Sequence, residues 1–367
     1  MEHQENRRDF LRKMGAGSLV LPMLNKAVQK PEYTGKPLGI ALVGLGYYAL
    51  NKILPAVDES PFWKLTGIVT GTPSKIPDLQ KKYGLKDKNI LNYDNYDQLK
   101  DCPEIDAVYV CLPNGMHAEY SIRAAQAGKH VITEKPMANT PEECEAMIRA
   151  AEENRVKLAV GYRCHFEPFN LKLMEYGREK TFGEIDYIHS MFAWRAGNPE
   201  MWRLNKKLAG GGAMLDVGIY CINAARYIKG LEPVAVTAHY SPIRDKEMFK
   251  EVEDGISWQM DFPDGSYFTG FTSYSTNVEK LDVRAKNGWI EMSPAFSYGP
   301  IKGNTSKGPM NEKVVFHQTY QMNAMGPMFL EGGTVADHCS GYEGLRDMKI
   351  IAAIYESAND AGKKVRL

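Results

Sequence analysis

Five short apolar runs, at residues 40–43, 65–69, 107–112, 130–133 and 157–160, are separated by stretches in which apolar positions recur every three or four residues. The runs read as buried strands and the stretches between them as helices. Leu50, Ile53, Leu54 and Val57 mark the first helix, and Ala118, Ile122 and Ala125 mark another, closed by Gly128. A third covers 141–154, with Thr140 as N-cap, Pro141 at the first helical position and Glu143 as capping-box partner. Strands alternating with helices predict an α/β domain built on a doubly wound parallel sheet.

Past residue 160 the period changes. Helices are predicted over 169–180 and after the glycines at 210–212. Segments 184–194, 234–240, 256–262, 266–274 and 280–285 read as strands, and Asp264-Gly265 marks a hairpin turn between two of them. This predicts an α+β second domain with a large, mostly antiparallel open sheet. A last helix over 344–358 carries Leu345, Met348, Ile351 and Tyr355 on one face. The expected organisation is a signal and linker over 1–36, a Rossmann domain over 37–160, a substrate and oligomerisation domain over 161–342, and a C-terminal helix and tail over 343–367.

The 367 residues accommodate two domains, and 45 basic against 45 acidic side chains give no field for nucleic acid or an acidic partner. The six cysteines are scattered without a CxxC or Cys/His spacing, so no metal centre is expected. Arg7-Arg8 precedes a short apolar segment, 14–24, in the manner of a twin-arginine export signal. The segment is too short to span a bilayer, so the expectation is a periplasmic protein without membrane integration.

The first apolar run feeds straight into Gly44-x-Gly46-x-x-Ala49. That is the strand–turn–helix of a dinucleotide site: Gly44 for the turn, Gly46 for approach of a pyrophosphate, Ala49 for close packing. An NAD site usually ends its second strand in Asp or Glu, for the ribose 2′-hydroxyl. Here that position reads Thr70-Gly71-Thr72-Pro73-Ser74-Lys75, with hydroxyls and a cation and no acid. NADP is the expected cofactor.

Three further segments point at one pocket. Glu134-Lys135-Pro136 follows a strand, where ligands of open parallel sheets bind. Asp216 and Tyr220 are four apart, on one face of an apolar helix. Tyr220 is either a site residue or a core residue with a satisfied hydroxyl. The preceding Gly210-Gly211-Gly212 is either a backbone lying under a ligand or an unusual helix entry. Residues 161–168, with Tyr162, Arg163 and His165, end the last strand, and Trp202-Arg203 adds an aromatic plane and a guanidinium suited to a sugar.

These motifs together resemble the glucose–fructose oxidoreductase/inositol dehydrogenase (Gfo/Idh/MocA) family. They are GLGxxA at 44–49, LPNxxHAE at 112–119, GKHVxxEKP at 128–136, GYRCHxxP at 161–168, AGGGxxxDxGIY at 209–220 and EVED at 251–254. The chain is most similar to the glucose–fructose oxidoreductase branch, which shares Tyr220 where many relatives carry His. The resemblance implies a hydride transfer between nicotinamide C4 and a sugar hydroxyl or carbonyl. It implies catalytic roles for Lys135, Asp216 and Tyr220, with Tyr220 as general base, its pKa drawn down by Lys135, and Lys135 as the second choice. Cofactor contacts are implied for Gly44, Gly46, Tyr47, Tyr48, Thr70, Gly71 and Lys75. Leu112, Pro113, Asn114, His117, Glu134, Lys135 and Arg163 complete that set. Substrate contacts are implied for Tyr162, His165, Trp202, Arg203 and Asp216. A one-substrate sugar, anhydro-sugar or dihydrodiol dehydrogenase and a non-catalytic NADP-binding regulator are the alternatives. A homodimer or homotetramer is expected through the outer face of the antiparallel sheet, with Tyr267, Phe271 and Tyr274 as candidate contributors.

Overall fold

The alternation of side chains along the first strand explains why the apolar runs are continuous. Ile40 and Leu42 pack on one face of a sheet and Ala41 and Val43 on the other, all fully buried. In the computed structural model, which describes residues 32–367, six strands form this parallel sheet. They are β1 (Leu38–Val43), β2 (Trp63–Val69), β3 (Ile90–Leu91), β4 (Ala107–Val110), β5 (His130–Glu134) and β6 (Leu158–Gly161), in the order β3-β2-β1-β4-β5-β6. The order reverses between β1 and β4, and the crevice at that switch is where a dinucleotide lies. The expected twin-arginine segment falls in residues 1–31, outside the described residues.

Helices α1 (Leu54–Glu59), α2 (Ile76–Tyr83), α3 (His117–Gln126) and α4 (Pro141–Glu153) lie in the connections. At the entry to α4, Glu143 N donates to Thr140 Oγ1 at 3.2 Å and Asn139 N donates to the Glu143 carboxylate at 2.9 Å. After α5 (Pro168–Arg178) the chain lays down the first strand of the second sheet, and it returns through α6 (Lys206–Ala209) and α7 (Ile219–Lys229) before the remaining strands of that sheet. Its strands are β7 (Ile185–Ala193), β8 (Ala235–Tyr240), β9 (Gly255–Asp261), β10 (Tyr267–Ser273), β11 (Val278–Ala285), β12 (Gly288–Met292), β13 (Gly303–Thr305), β14 (Gly308–Pro309) and β15 (Val365–Arg366). Only β7 and β10 pair in parallel. Gly265, at φ +86°, makes the turn between β9 and β10.

Two helices near the end of the chain blur the expected boundary at residue 161. Helix α8 (His317–Phe329) was not predicted, and it packs on the first sheet beside α1, with Met322 and Met325 at 0% exposure. Helix α9 (Gly341–Asn359) runs between α4 and β8.

The glycine run is a helix entry. A Cβ on Gly212 would lie 2.1 Å from the carbonyl oxygen of Glu253, and one on Gly211 would lie 2.1 Å from Tyr355 Oη. The Glu253 carboxylate accepts from Gly212 N and Met214 N, at 2.8 and 3.1 Å, and so caps the chain as it enters a π-helical turn, Met214–Gly218, that leads into α7.

The aromatic residues assigned to the outer sheet face divide. Tyr267 is exposed and Phe271 partly so, but Tyr274 is buried against Trp194 at 5.1 Å. Tyr274 follows the last residue of β10 and is three positions on from Phe271, an odd step that reverses the face in extended chain.

Candidate active site

Gly44 leaves β1 at φ +86°, and a Cβ there would sit 2.6 Å from the carbonyl oxygen of Cys111. Only glycine takes that turn in that space. Above Gly46 the space is open, with nothing within 4 Å of an added Cβ. The helical turn that follows, Ala49–Ile53 leading into α1, begins at this opening. A pyrophosphate on the amides of such a helix start fits the cradle.

At the end of β2, Thr70 is buried and its Oγ1 accepts from Thr72 N at 3.0 Å, while Gly71 to Lys75 are exposed. Lys75 Nζ reaches back to the carbonyl oxygen of Leu45 at 2.6 Å. A cation thus stands between the glycine turn and a hydroxyl-rich loop that lacks a carboxylate, which suits a ribose 2′-phosphate.

The catalytic candidates converge from three elements. Lys135 follows β5, and its Nζ donates to the main-chain oxygen of Asp216 at 2.6 Å and lies 3.8 Å from Asp216 Oδ1. The same Nζ lies 4.8 Å from the centre of the Tyr220 ring. Asp216 Oδ2 accepts from Trp194 Nε1 at 3.2 Å and lies 3.1 Å from Arg203 Nε. Arg203 in turn stacks over Trp202, 4.6 Å from its ring centre.

These contacts sort the protonation states. Burial pushes the Asp216 carboxyl up, but Arg203 and Lys135 outweigh it and hold the group below its ordinary value. Burial lowers the pKa of Lys135 against the pull of Asp216 and Glu134. Burial pushes the Tyr220 hydroxyl well above its ordinary value, although Arg163 draws it down. The expected depression of the tyrosine pKa by Lys135 is therefore not found. Lys135 faces the ring, and desolvation of a phenolate dominates.

Several predicted contacts turn elsewhere. Tyr162 is buried and its Oη donates to Asp347 Oδ2 at 2.6 Å. His165 stacks between Tyr162 and Tyr227, at 4.8 and 4.1 Å, with Nδ1 2.7 Å from the carbonyl oxygen of His338. Both belong to the core under α7 and α9, because the chain leaves β6 through a tight turn, Arg163–Phe166, whose successive side chains diverge. Arg163 alone goes to the pocket. Its guanidinium lies 4.8 Å from the Tyr220 ring and 4.6 Å from the Tyr298 ring, and Nη1 lies 3.0 Å from His317 Nδ1.

Tyr47 is 72% exposed, whereas Tyr48 turns inward and accepts from Gln318 Nε2 at 3.3 Å. Neighbouring side chains on a helical turn cannot share one direction. Asn114 Nδ2 donates to the carbonyl oxygen of Ala209 at 2.9 Å, and both His117 nitrogens lie 2.8 Å from carbonyl oxygens, of Pro136 and Leu112. These two side chains organise the Leu112-Pro113 turn and tie it to the second sheet's half of the chain.

Sequence reasoning missed Trp194, Tyr298 and Phe296, the last with its ring centre 6.0 Å from that of Tyr220. Trp194 ends a predicted strand and was readable as an inward position. Tyr298 and Phe296 lie in an irregular loop after β12 that carries no periodic signal.

A model of the oxidoreductase family with an NAD-binding Rossmann fold matches residues 38–162, and a model of the GFO/IDH/MocA C-terminal domain matches residues 171–291. The chain is 27% identical to D-xylose 1-dehydrogenase [NADP(+)] of Haloarcula marismortui, over 92% of this chain and 96% of that one. It is 27% identical to D-glucoside 3-dehydrogenase of Escherichia coli, over 92% of this chain and 100% of the other. Among solved structures it is similar to aldose-aldose oxidoreductase from Caulobacter crescentus in complex with glycerol. That match has 38% identity, covers 90% of this chain and 100% of the other, and has a TM-score of 0.86.

Proposed function

This chain belongs to the GFO/IDH/MocA oxidoreductase family, and we propose that it is an NADP-dependent sugar oxidoreductase with Lys135 as its proton carrier. The observation that carries this reading is the meeting of Lys135, Asp216 and Tyr220 at the carboxyl edge of the parallel sheet, beside the open glycine turn. The relatives named above act on xylose, glucosides and aldoses, which supports a sugar as substrate.

The nicotinamide, when bound, accepts or supplies the hydride. The chain's own residues handle the proton. Lys135 in its neutral form takes the hydroxyl proton of a sugar being oxidised, and its ammonium returns one to a carbonyl being reduced. Its lowered pKa brings that exchange closer to neutral pH. Tyr220 stays protonated and donates to the substrate oxygen. Asp216, ionised and held by Arg203 and Trp194, fixes Lys135. This assignment exchanges the roles expected of Tyr220 and Lys135. Thr70, Gly71 and Lys75 would hold the 2′-phosphate.

The test is a panel of aldoses, ketoses and anhydro-sugars with NADP+, run after any bound cofactor has been extracted and identified. Turnover of a sugar, lost in Lys135→Met, supports the reading. NADP binding without turnover of any sugar would overturn it in favour of a non-catalytic regulator. Cofactor that stays bound while one sugar is oxidised and another reduced would mark the glucose–fructose oxidoreductase pattern. Exchangeable cofactor would mark a one-substrate dehydrogenase.

Assembly and location belong to the same reading. The outward-facing pair Tyr187 and Tyr267, with ring centres 4.9 Å apart, supports a homodimer or homotetramer through the second sheet. Arg7-Arg8 and the apolar run after them support export to the periplasm, tested by fusing residues 1–36 to a reporter with and without both arginines changed to Lys.

A further inference from the structure

Beneath Lys135 lies a buried hydrogen-bond chain that begins on a helix outside both family-matched segments. Gln321, on α8, donates through Nε2 to Tyr109 Oη at 2.8 Å, and Tyr109 donates to Glu134 Oε1 at 2.7 Å. The directions are set by chemistry. An ionised carboxylate only accepts, so the single phenol proton goes to Glu134, and the phenol oxygen must accept from the amide nitrogen.

The backbone is arranged around this chain. Tyr109 on β4 pairs with Ile132 on β5, so Glu134, two residues on, faces the same side of the sheet. Opposite Glu134 on β6 stands Gly161, and a Cβ there would lie 2.7 Å from Tyr109 Oη and 2.8 Å from Glu134 Oε1. The site keeps a glycine where any side chain would push the pair apart. Tyr109 and Gln321 are both at 0% exposure. Two polar groups are desolvated here where Phe and Leu would fill the space without that cost.

We infer that Tyr109 and Gln321 are positioning residues that hold Glu134 ionised and fixed beside Lys135. The inference rests on the proposed function for the meaning of Lys135, but its geometry does not. Burial raises the Glu134 pKa above its ordinary value, and the Tyr109 hydrogen bond and the Lys135 charge limit that rise. The Glu134 charge in turn raises the pKa of Lys135. Tyr48, Cys111 and Arg163 also face Glu134. Asp216, Arg203, Tyr298 and His117 face Lys135.

The experiment reads Lys135 directly in cofactor-free protein. Protein labelled with 13C at lysine Cε is titrated by NMR, and the Lys135 resonance is assigned by its loss in Lys135→Met. Glu134→Gln gives the full size of the effect, a titration moved to lower pH by on the order of one unit. Tyr109→Phe is expected to move it in the same direction, and Gln321→Leu likewise by less. If neither moves the titration while near-ultraviolet circular dichroism matches the parent protein, the chain is packing and the inference falls. If Tyr109→Phe fails to fold, Gln321→Leu carries the test alone. Failure of the catalytic reading would appear separately, as sugar turnover retained in Lys135→Met.

Discussion

Lys135 and Asp216 are joined twice, by a hydrogen bond from Nζ to the main-chain oxygen of Asp216 at 2.6 Å and by charge across 3.8 Å to its carboxylate. The main-chain bond fixes where the ammonium sits. The carboxylate sets how firmly it keeps its proton. The two effects are separable, because Asn at 216 keeps the first and removes the second.

Asp216→Asn is therefore expected to lower the pKa of Lys135 further, since the Asp216 charge raises it. Under the proposed mechanism neutral Lys135 is the active form in oxidation, so the rise of kcat with pH should move to lower pH, by about one unit. A pH–rate profile with its rising limb in place would show that the carboxylate does not govern Lys135.

Lys135→Met should lower kcat by about 10²- to 10⁴-fold, the usual contribution of a general acid–base group. NADPH affinity, measured by fluorescence titration, should change little. Tyr220→Phe should cost only about tenfold, the loss of one donated hydrogen bond worth roughly 1.5 kcal/mol. It should also leave the pH limb in place, because a hydroxyl whose pKa burial has raised does not titrate in the working range. A larger loss in Tyr220→Phe than in Lys135→Met would restore Tyr220 as the proton acceptor.

The parallel sheet was legible because β1, β4 and β6 are buried on both faces and read as short apolar runs, while β2 closes on an apolar pair and β5 carries an apolar centre between polar ends. Helix α8 was hidden for the opposite reason. It buries Gln318 and Gln321 and contains Gly326-Pro327, so neither its polarity nor its composition follows a helix pattern. The pocket lysine, aspartate and tyrosine were legible through motif spacing. The direction of the Tyr220 pKa shift was not, because spacing carries no measure of desolvation. Tyr162 and His165 misled because their segment adjoins Arg163, and only the turn after β6 decides which of the three reaches the pocket.

Cofactor choice rests on the loop after β2. Lys75 already spans to Leu45 across the mouth of the crevice. NADP(H) should bind more tightly than NAD(H), and Lys75→Ala should weaken NADP(H) by about ten- to a hundredfold, the range of one charge-assisted hydrogen bond. NAD(H) should be nearly unaffected. Equal weakening of both would mean that Lys75 supports the glycine turn and does not read the 2′-phosphate.

Assembly is tested at the outward aromatic pair. Tyr267 is 44% exposed and packs on Tyr187 across the parallel pairing of β7 and β10. Tyr267→Glu replaces one ring of that pair with a charge. Light scattering should register an oligomer for the parent chain and a monomer for the variant at micromolar concentration. A monomeric parent chain would remove the sheet face as an interface.

The core under α9 sets a stability prediction with a definite sign. Glu343 and Asp347, one turn apart, both meet the Arg226 guanidinium, and all three are nearly excluded from water. Burial opposes both charges. At Glu343 the Arg226 charge wins, and the pKa falls to about 2. At Asp347 burial, with the Glu343 charge added, outweighs Arg226 and the pKa is pushed up to about 7. The Asp347 value in the folded protein thus lies above the unfolded value of about 3.9. Its contribution to stability is complete below pH about 4 and is lost as pH rises through about 7. Glu343 runs the other way, and its contribution is lost as pH falls toward about 2. The measurement is the difference in unfolding free energy between the parent chain and Asp347→Asn from pH 4 to pH 8, in which the shared contributions of buried His165 and His338 cancel. The parent should lose ground steadily as pH rises, at a slope approaching about 1.4 kcal/mol per pH unit. Tyr162→Phe, which removes the hydroxyl that donates to Asp347, should steepen the loss at the upper end of that range. A difference that stays constant across the range would mean that Asp347 is ionised in the native core and that Arg226 serves both carboxylates equally.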